Sequence, residues 1–214
     1  MIEVKDAVKR FLDTNVLDHV NLTIEKGDKI ALMGPNGAGK TTLVRAILGF
    51  YHLDSGEIRV KGYHPTKERV KVLKNISFIP QTPPPIKLSI SELLEFVSKS
   101  SDVKQESIKE EAARMDLDVE KNLQKPFFKL SGGMKQKMLI AIALAKKSDI
   151  LIFDEPTANL DPKAREKFYA LLSELDSDVS TIFITHRLEE VEKLVNREIY
   201  MDLGKIVEDR RVGV

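Results

Sequence analysis

From Val20 to Glu25 the chain alternates, with Val20, Leu22 and Ile24 set against Asn21, Thr23 and Glu25, and a period of two predicts a half-buried β-strand. Ile2 to Lys5 reads as a shorter strand. After the turn Glu25-Lys-Gly-Asp, residues Ile30 to Met33 are apolar throughout. A Gly-rich loop comes next, and then Thr41 to Leu48 with Gly49 where a helix C-cap falls, which predicts strand, loop, helix. Further short strands are expected over Gly56 to Gly62 and Ile76 to Ile79, before Pro80-Gln-Thr-Pro-Pro-Pro ends regular structure. Beyond it, Ser89-Ile-Ser-Glu92 has capping-box spacing and opens an amphipathic helix through Val97, and the charged stretch Val103 to Met115 predicts a second helix. From Ser131 the alternation of types resumes: a helix to Ala145, a strand Ile150 to Phe153, a helix opened by Asp161-Pro162, a strand Thr181 to Thr185 and a hairpin over Ile199 to Val207. In the helix after Pro162, Ala164, Phe168, Leu171, Leu172 and Leu175 share one face. This order predicts an α/β chain with a parallel sheet packed against helices.

At 214 residues, one domain over 1–214 is expected, with residues 1–81 and 131–214 forming its core and 82–130 a helical insertion. Thirty-four Lys and Arg against 33 Asp and Glu leave a net charge of +1, so no bulk attraction to nucleic acid is expected and partners must be sought in motifs. The absence of Cys excludes disulfides, thiolate catalysis and Cys-based metal sites. No apolar run approaches the roughly 20 residues of a membrane span, and Met1-Ile-Glu-Val-Lys-Asp does not read as a secretory signal.

Two strings carry chemistry. Gly34-Pro-Asn36-Gly37-Ala38-Gly39-Lys40-Thr41-Thr42 fits the phosphate-loop pattern between an apolar strand and a helix. A triphosphate needs many donors at close range; glycines let backbone N–H groups converge on it, and the helix N-terminus adds positive potential. Lys40 would supply a point charge to the outer phosphates, and Thr41 a hydroxyl to Mg²⁺. The second string, Ile150-Leu-Ile-Phe-Asp154-Glu155, ends a hydrophobic strand in two adjacent carboxylates, a costly arrangement unless a cation or a proton transfer uses them. Asp154 is expected to hold the metal. Glu155, on the other side of the pleat, is expected to polarise the attacking water. The plainer alternatives are a Gly-rich turn and a pair of turn-capping acids.

Leu130-Ser131-Gly132-Gly133-Met-Lys-Gln-Lys137, lying between those strings, resembles the signature motif of the ABC-family ATPases. Gln81, Asn159-Leu-Asp161 and His186 resemble that family's Q-loop, D-loop and switch histidine, in the same order. The resemblance covers essentially the whole chain. It implies a phosphate-loop ATPase core of mixed sheet and flanking helices, an N-terminal antiparallel β subdomain and an inserted α-helical subdomain. It implies Mg-ATP as ligand, Gln81 and His186 as catalytic helpers of Glu155, and Thr41, Gln81 and Asp154 around the metal. Phe11 resembles the aromatic that stacks on adenine, with Val16 beside it, though a Phe is ordinarily a core residue. Ser131, Gly132 and Gly133 would hold the γ-phosphate of a second copy in a head-to-tail dimer, with Asp161 at the same seam; Ser131 and Asp161 also fit plain helix N-caps.

The resemblance further implies a transporter's ATP-hydrolysing subunit, peripheral on the cytoplasmic face of the membrane. A separate membrane permease would dock beside the Q-loop, at Thr82 to Leu88 and the helix near Ser91. Met134 stands where many relatives have Gln, a departure that recurs in exporters with separate ATPase and membrane chains, which favours export and leaves import open. The competing reading is a soluble ABC ATPase such as an iron–sulfur cluster assembly component.

Overall fold

The computed structural model describes residues 1–213. The strands are β1 (Ile2–Phe11), β2 (Thr14–Ile24), β3 (Lys29–Met33), β4 (Ser55–Val60), β5 (Ile76–Ile79), β6 (Ile150–Asp154), β7 (Ser180–Ile184), β8 (Arg197–Asp202) and β9 (Lys205–Arg211). The α-helices are α1 (Lys40–Ile47), α2 (Arg69–Asn75), α3 (Ile90–Ser101), α4 (Gln105–Arg114), α5 (Gly132–Ala145) and α6 (Pro162–Ser173). They form two compact units, one of Met1–Ile76 with the chain from Asp176 onward, the other of Ser77–Leu175.

In the first unit β2, β1 and β4 make an antiparallel sheet. Its register places Ile2 opposite Ile24 and Val60, and Val4 opposite Leu22 and Ile58. All six are buried while the intervening Glu3 and Thr23 are exposed, so the sheet has one wet face and one core face. β1 runs six residues beyond its predicted end at Lys5. The register shifts between Val4 and Ala7, where Asp6 takes φ 50°, so the alternation slips at a bulge and restarts in a new phase.

In the same unit β3 lies parallel to β7 on one side and β8 on the other, with Leu32 level with Ile184 and Ile199. Buried on both sides, Ile30–Leu32 of β3 and Ile182–Ile184 of β7 read as continuous apolar runs. β9 closes the antiparallel hairpin with β8, in place of the shorter Ile199–Val207 hairpin expected.

A buried ion cluster fastens this unit. The Arg197 guanidinium donates to Asp28 Oδ2 at 2.7 Å, to both carboxylate oxygens of Asp209 at 2.7 Å, and to the Thr23 carbonyl at 2.7 Å. Arg211 reaches the other Asp28 oxygen at 3.0 Å. Asp209 first, and then Asp28, hold the Arg197 charge more firmly than usual. Asp28→Ala is expected to cost about 3 kcal/mol in urea denaturation, the low end for a broken buried pair, because Asp209 still partners Arg197. A loss under about 1 kcal/mol would show that the cluster is dispensable.

In the second unit the predicted capping box is present: Glu92 N–H donates to Ser89 Oγ at 3.2 Å, and Ser89 N–H donates to Glu92 Oε2 at 2.7 Å. The helix it opens continues past Val97 to Ser101. Ile90, Leu94 and Val97 of α3, Ile108 and Ala112 of α4, and Met138 and Ala141 of α5 share one core with Phe127 and Leu130. β6 and α6 meet through Phe153 and Phe168, packed edge to face at 5.4 Å. The helix α2 has no counterpart in the elements expected from the sequence: it is short and charged, and Val72 is its one buried residue.

Candidate functional site

The phosphate-loop string lies where strand β3 ends and α1 begins. Two of its glycines are demanded by space as well as by conformation. Gly34 has φ 136°, and a Cβ there would come within 2.0 Å of the Met201 carbonyl. Gly39 has φ 100°, and a Cβ there would come within 2.5 Å of the Val16 carbonyl. The Val16 carbonyl is thereby packed against the loop. Ala38 is buried, its N–H on the Pro35 carbonyl at 3.2 Å and its carbonyl accepting from Gly204 at 3.1 Å; Asn36 and Gly37 face outward.

Lys40 opens α1, and its ammonium donates to the Gly34 and Pro35 carbonyls at 2.7 and 2.9 Å, so the loop wraps a positive charge. The first-turn N–H groups of a helix, here those of Lys40, Thr41 and Thr42, have no intrahelical acceptor. No acid stands in that turn, so its positive end is not cancelled.

The parallel pairing of β3 and β7 sets what else lies nearby. Leu32 is level with Ile184, so Gly34 and His186 leave the carboxyl ends of adjacent strands, the position where open α/β sheets bind ligands. His186 is exposed, next to the buried Thr185, whose hydroxyl accepts from Arg187 N–H at 3.0 Å. Phe11, at the end of β1, is 41% exposed, which excludes the core reading. Its ring meets Tyr51 edge to face at 5.2 Å, with the Lys9 ammonium 5.4 Å from its centroid.

In the second unit, four buried apolar residues of β6 lead to Asp154 and Glu155, both partly buried. The strand ends at Asp154. Glu155 lies beyond it in the left-handed region, with φ 46°, so its direction is set by a turn and not by the pleat expected from the sequence. A carboxylate residue held in that region stores of order 1 kcal/mol or more of strain, a feature that clusters at working sites. The turn is closed by Ala158 N–H on the Glu155 carbonyl at 3.2 Å and Leu160 N–H on the Thr157 carbonyl at 3.0 Å. Asp161 then caps α6, accepting from Ala164 N–H at 2.9 Å, with Pro162 in the first turn.

Ser131 likewise caps α5, accepting from Met134 N–H at 3.2 Å. Gly132 and Gly133 come next; a Cβ on Gly133 would come within 3.1 Å of the Asn159 carbonyl. Asn159 Nδ2 donates to the carbonyl of Gln81 at 3.2 Å, and the Gln81 residue is exposed. Within this unit, Gln81, Asn159 and the start of α5 are thus brought together. Sequence reasoning missed Gln136, which is fully buried and donates from Nε2 to the Pro156 carbonyl at 3.0 Å. Its signal was present, for Gln136 interrupts the stripe it shares with Ile140 and Ala143.

The family described as ABC transporter matches residues 17–158, two thirds of the chain, and takes in the phosphate loop, Gln81, the Ser131–Gly133 segment and Asp154–Glu155. The chain belongs to the ABC transporter family. Phe11, Val16, Asp161 and His186 lie outside the matched stretch. This ABC chain is 34% identical over 208 residues to the energy-coupling factor transporter ATP-binding protein EcfA2 of Clostridium tetani, covering 92% of itself and 72% of that protein. It is 33% identical over 216 residues to the spermidine/putrescine import ATP-binding protein PotA of Pseudomonas aeruginosa, covering 96% of itself but 58% of that protein. Several of the curated relatives are thus spanned over little more than half their length.

Among solved structures, the ABC chain superposes with a TM-score of 0.85 on a dimeric ATP-binding cassette in a post-hydrolysis state bound to ADP and Pi, at 26% identity and over 100% of both chains. It superposes with a TM-score of 0.89 on the ATP-binding subunit of an ABC transporter, at 25% identity, covering 99% of this chain and 90% of that one. The fold is therefore that of an ABC ATPase, with its antiparallel β subdomain, its α/β strands and helices, and its helical segment. The chain is an ATP-binding subunit of that family, and the family's ATPase is coupled to transport. The names of EcfA2 and PotA describe a transporter and an import protein. The expectation of export has no echo in the relatives' names, which describe import and energy coupling.

Proposed function

We propose that this chain hydrolyses ATP to ADP and phosphate in a head-to-tail dimer and drives a separate membrane permease through which a solute passes. The observation that carries the reading is the strand–loop–helix at Gly34–Thr42, with close-packed glycines, a helix N-terminus facing out of it and the Lys40 charge wrapped in its carbonyls. Lys40 exchanges those carbonyls for the outer phosphates, and the first-turn N–H groups of α1 take the remaining oxygens. Phe11 stacks on the adenine, with Val16 at its edge.

Thr41, Gln81 and Asp154 offer hydroxyl, amide and carboxylate oxygens, the hard donor set that Mg²⁺ takes together with phosphates and water. Among the described residues no group of three or more His, Cys, Asp or Glu gathers as a metal site. Mg²⁺, when bound, neutralises charge on the β- and γ-phosphates. Glu155 accepts a proton from the water as the water oxygen bonds to the γ-phosphorus and the bond to the bridging oxygen breaks. His186 steadies the γ-phosphate, and Ser131–Gly133 of the second copy closes over it, with Asp161 at the seam.

The permease docks at Thr82–Leu88 and the start of α3. Among the described residues no helix is long and apolar enough to cross a membrane, which fits a subunit held at the cytoplasmic face through such a partner. To test the partner, the Glu155→Gln chain is tagged in its host, membranes are solubilised in mild detergent with Mg-ATP, and co-purifying proteins are identified. A multi-span membrane protein is expected; recovery of assembly proteins alone would overturn the transporter reading.

A further inference from the structure

Gln136 lies one turn into α5 and is fully buried. Its Nε2 donates to the Pro156 carbonyl at 3.0 Å, while its Oε1 is buried with no hydrogen-bond partner. The opposite amide orientation would set two oxygens against each other, so the Pro156 carbonyl fixes which way the amide points. The amide leaves one polar atom in the core unsatisfied, and an apolar side chain of the same length would exchange that orphan for another, the buried Pro156 carbonyl. What the amide supplies is direction, because it holds one peptide plane.

That plane joins Pro156 to Thr157, one residue beyond Glu155, whose backbone sits in the strained left-handed region. The hydrogen bonds from Ala158 to Glu155 and from Leu160 to Thr157 lie within the turn itself. Asn159 ties its far end to the Gln81 carbonyl, and Gln136 ties its near end to α5. Further along the turn, the Asn159 carbonyl lies against Gly133, on the same first turn of α5.

We infer that Gln136 is a positioning residue that couples the start of α5 to the Glu155 turn, so that a γ-phosphate seated on Ser131–Gly133 by a second copy aligns the carboxylate of this copy. This rests on the reading of Glu155 as the base and of Ser131–Gly133 as the cradle for the neighbour's nucleotide. Gln136 does not touch substrate. It acts through the Pro156 peptide, and it makes the two nucleotide sites of a dimer depend on each other.

Gln136→Met fills the same space without a donor, and Gln136→Asn keeps the amide one methylene short of Pro156. Either variant serves if the other fails to fold. On the full chain, Mg-ATP affinity and thermal midpoint are expected to stay near wild type while kcat falls by at least about tenfold, the split expected when only transition-state alignment is lost. Amide exchange at 157–160 should quicken. A kcat within about twofold of wild type, or a loss that tracks ATP affinity or the folded fraction, would overturn the coupling. Glu155→Gln is measured alongside. An unaffected Gln136→Met beside an inactive Glu155→Gln defeats this inference alone, whereas an active Glu155→Gln defeats the reading beneath it.

Discussion

Lys40→Ala is expected to lose nucleotide binding, with the Kd for Mg-ATP rising by at least about a hundredfold, or about 2.7 kcal/mol. The ammonium sits at the mouth of α1, fixed at 2.7 and 2.9 Å by two carbonyls of the loop. Removing it takes away the compact charge proposed to meet the phosphates and also the brace that shapes the loop around it. Charge-assisted bonds to phosphate are roughly twice as strong as neutral ones, which sets the scale of the loss. Lys40→Arg should not rescue, because a planar fork cannot take the place of a compact ammonium between Gly34 and Pro35. Calorimetric titration decides it, together with the thermal stabilisation that Mg-ATP gives the wild type and should fail to give the variant. Retained affinity would sink the assignment of the phosphate loop.

Glu155→Gln should lower turnover by about 10² to 10⁴, the range for loss of a general base. Its second effect is the more telling one. The amide has the shape of the acid and suits the same backbone, so ATP still binds and the copies still close, but water is no longer deprotonated. Size-exclusion chromatography with Mg-ATP should show a dimer that the wild type does not accumulate. Unchanged hydrolysis would show that another group serves as base.

Features with local causes were legible in the sequence. The strand–loop–helix at Lys29–Ile47 arises from an apolar run, glycines and a capped helix, and β5 was placed at its observed ends. The Ser89–Glu92 capping box and the Asp161 cap with Pro162 are likewise written in neighbouring residues. The features that escaped depend on partners far along the chain or on backbone angles that composition does not encode. The second half of β1 was hidden because a bulge at Asp6 shifts the alternation. The direction of Glu155 was assigned from the pleat, but φ 46° in the turn beyond the strand decides it. Asp28 read as a turn residue, and nothing near it in sequence announces Arg197 or Arg211. Gln136 was passed over because its partner lies 20 residues on, in a turn.

The order of strands around β3 also bears on when this protein becomes competent as it is made. The neighbours of β3 are β7 and β8, which begin at Ser180 and Arg197. The strand that presents the phosphate loop therefore leaves the ribosome well before either neighbour and has no such partner to join until Ser180–Ile184 follows. Closing so long a loop is slow relative to local helix formation. Through that interval Ile30, Ala31 and Leu32 are an unpaired apolar edge, the kind of segment that associates wrongly. ATP cannot rescue the nascent chain during that interval, because its cradle hangs from a strand not yet in place; protection at this stage falls to whatever covers the edge.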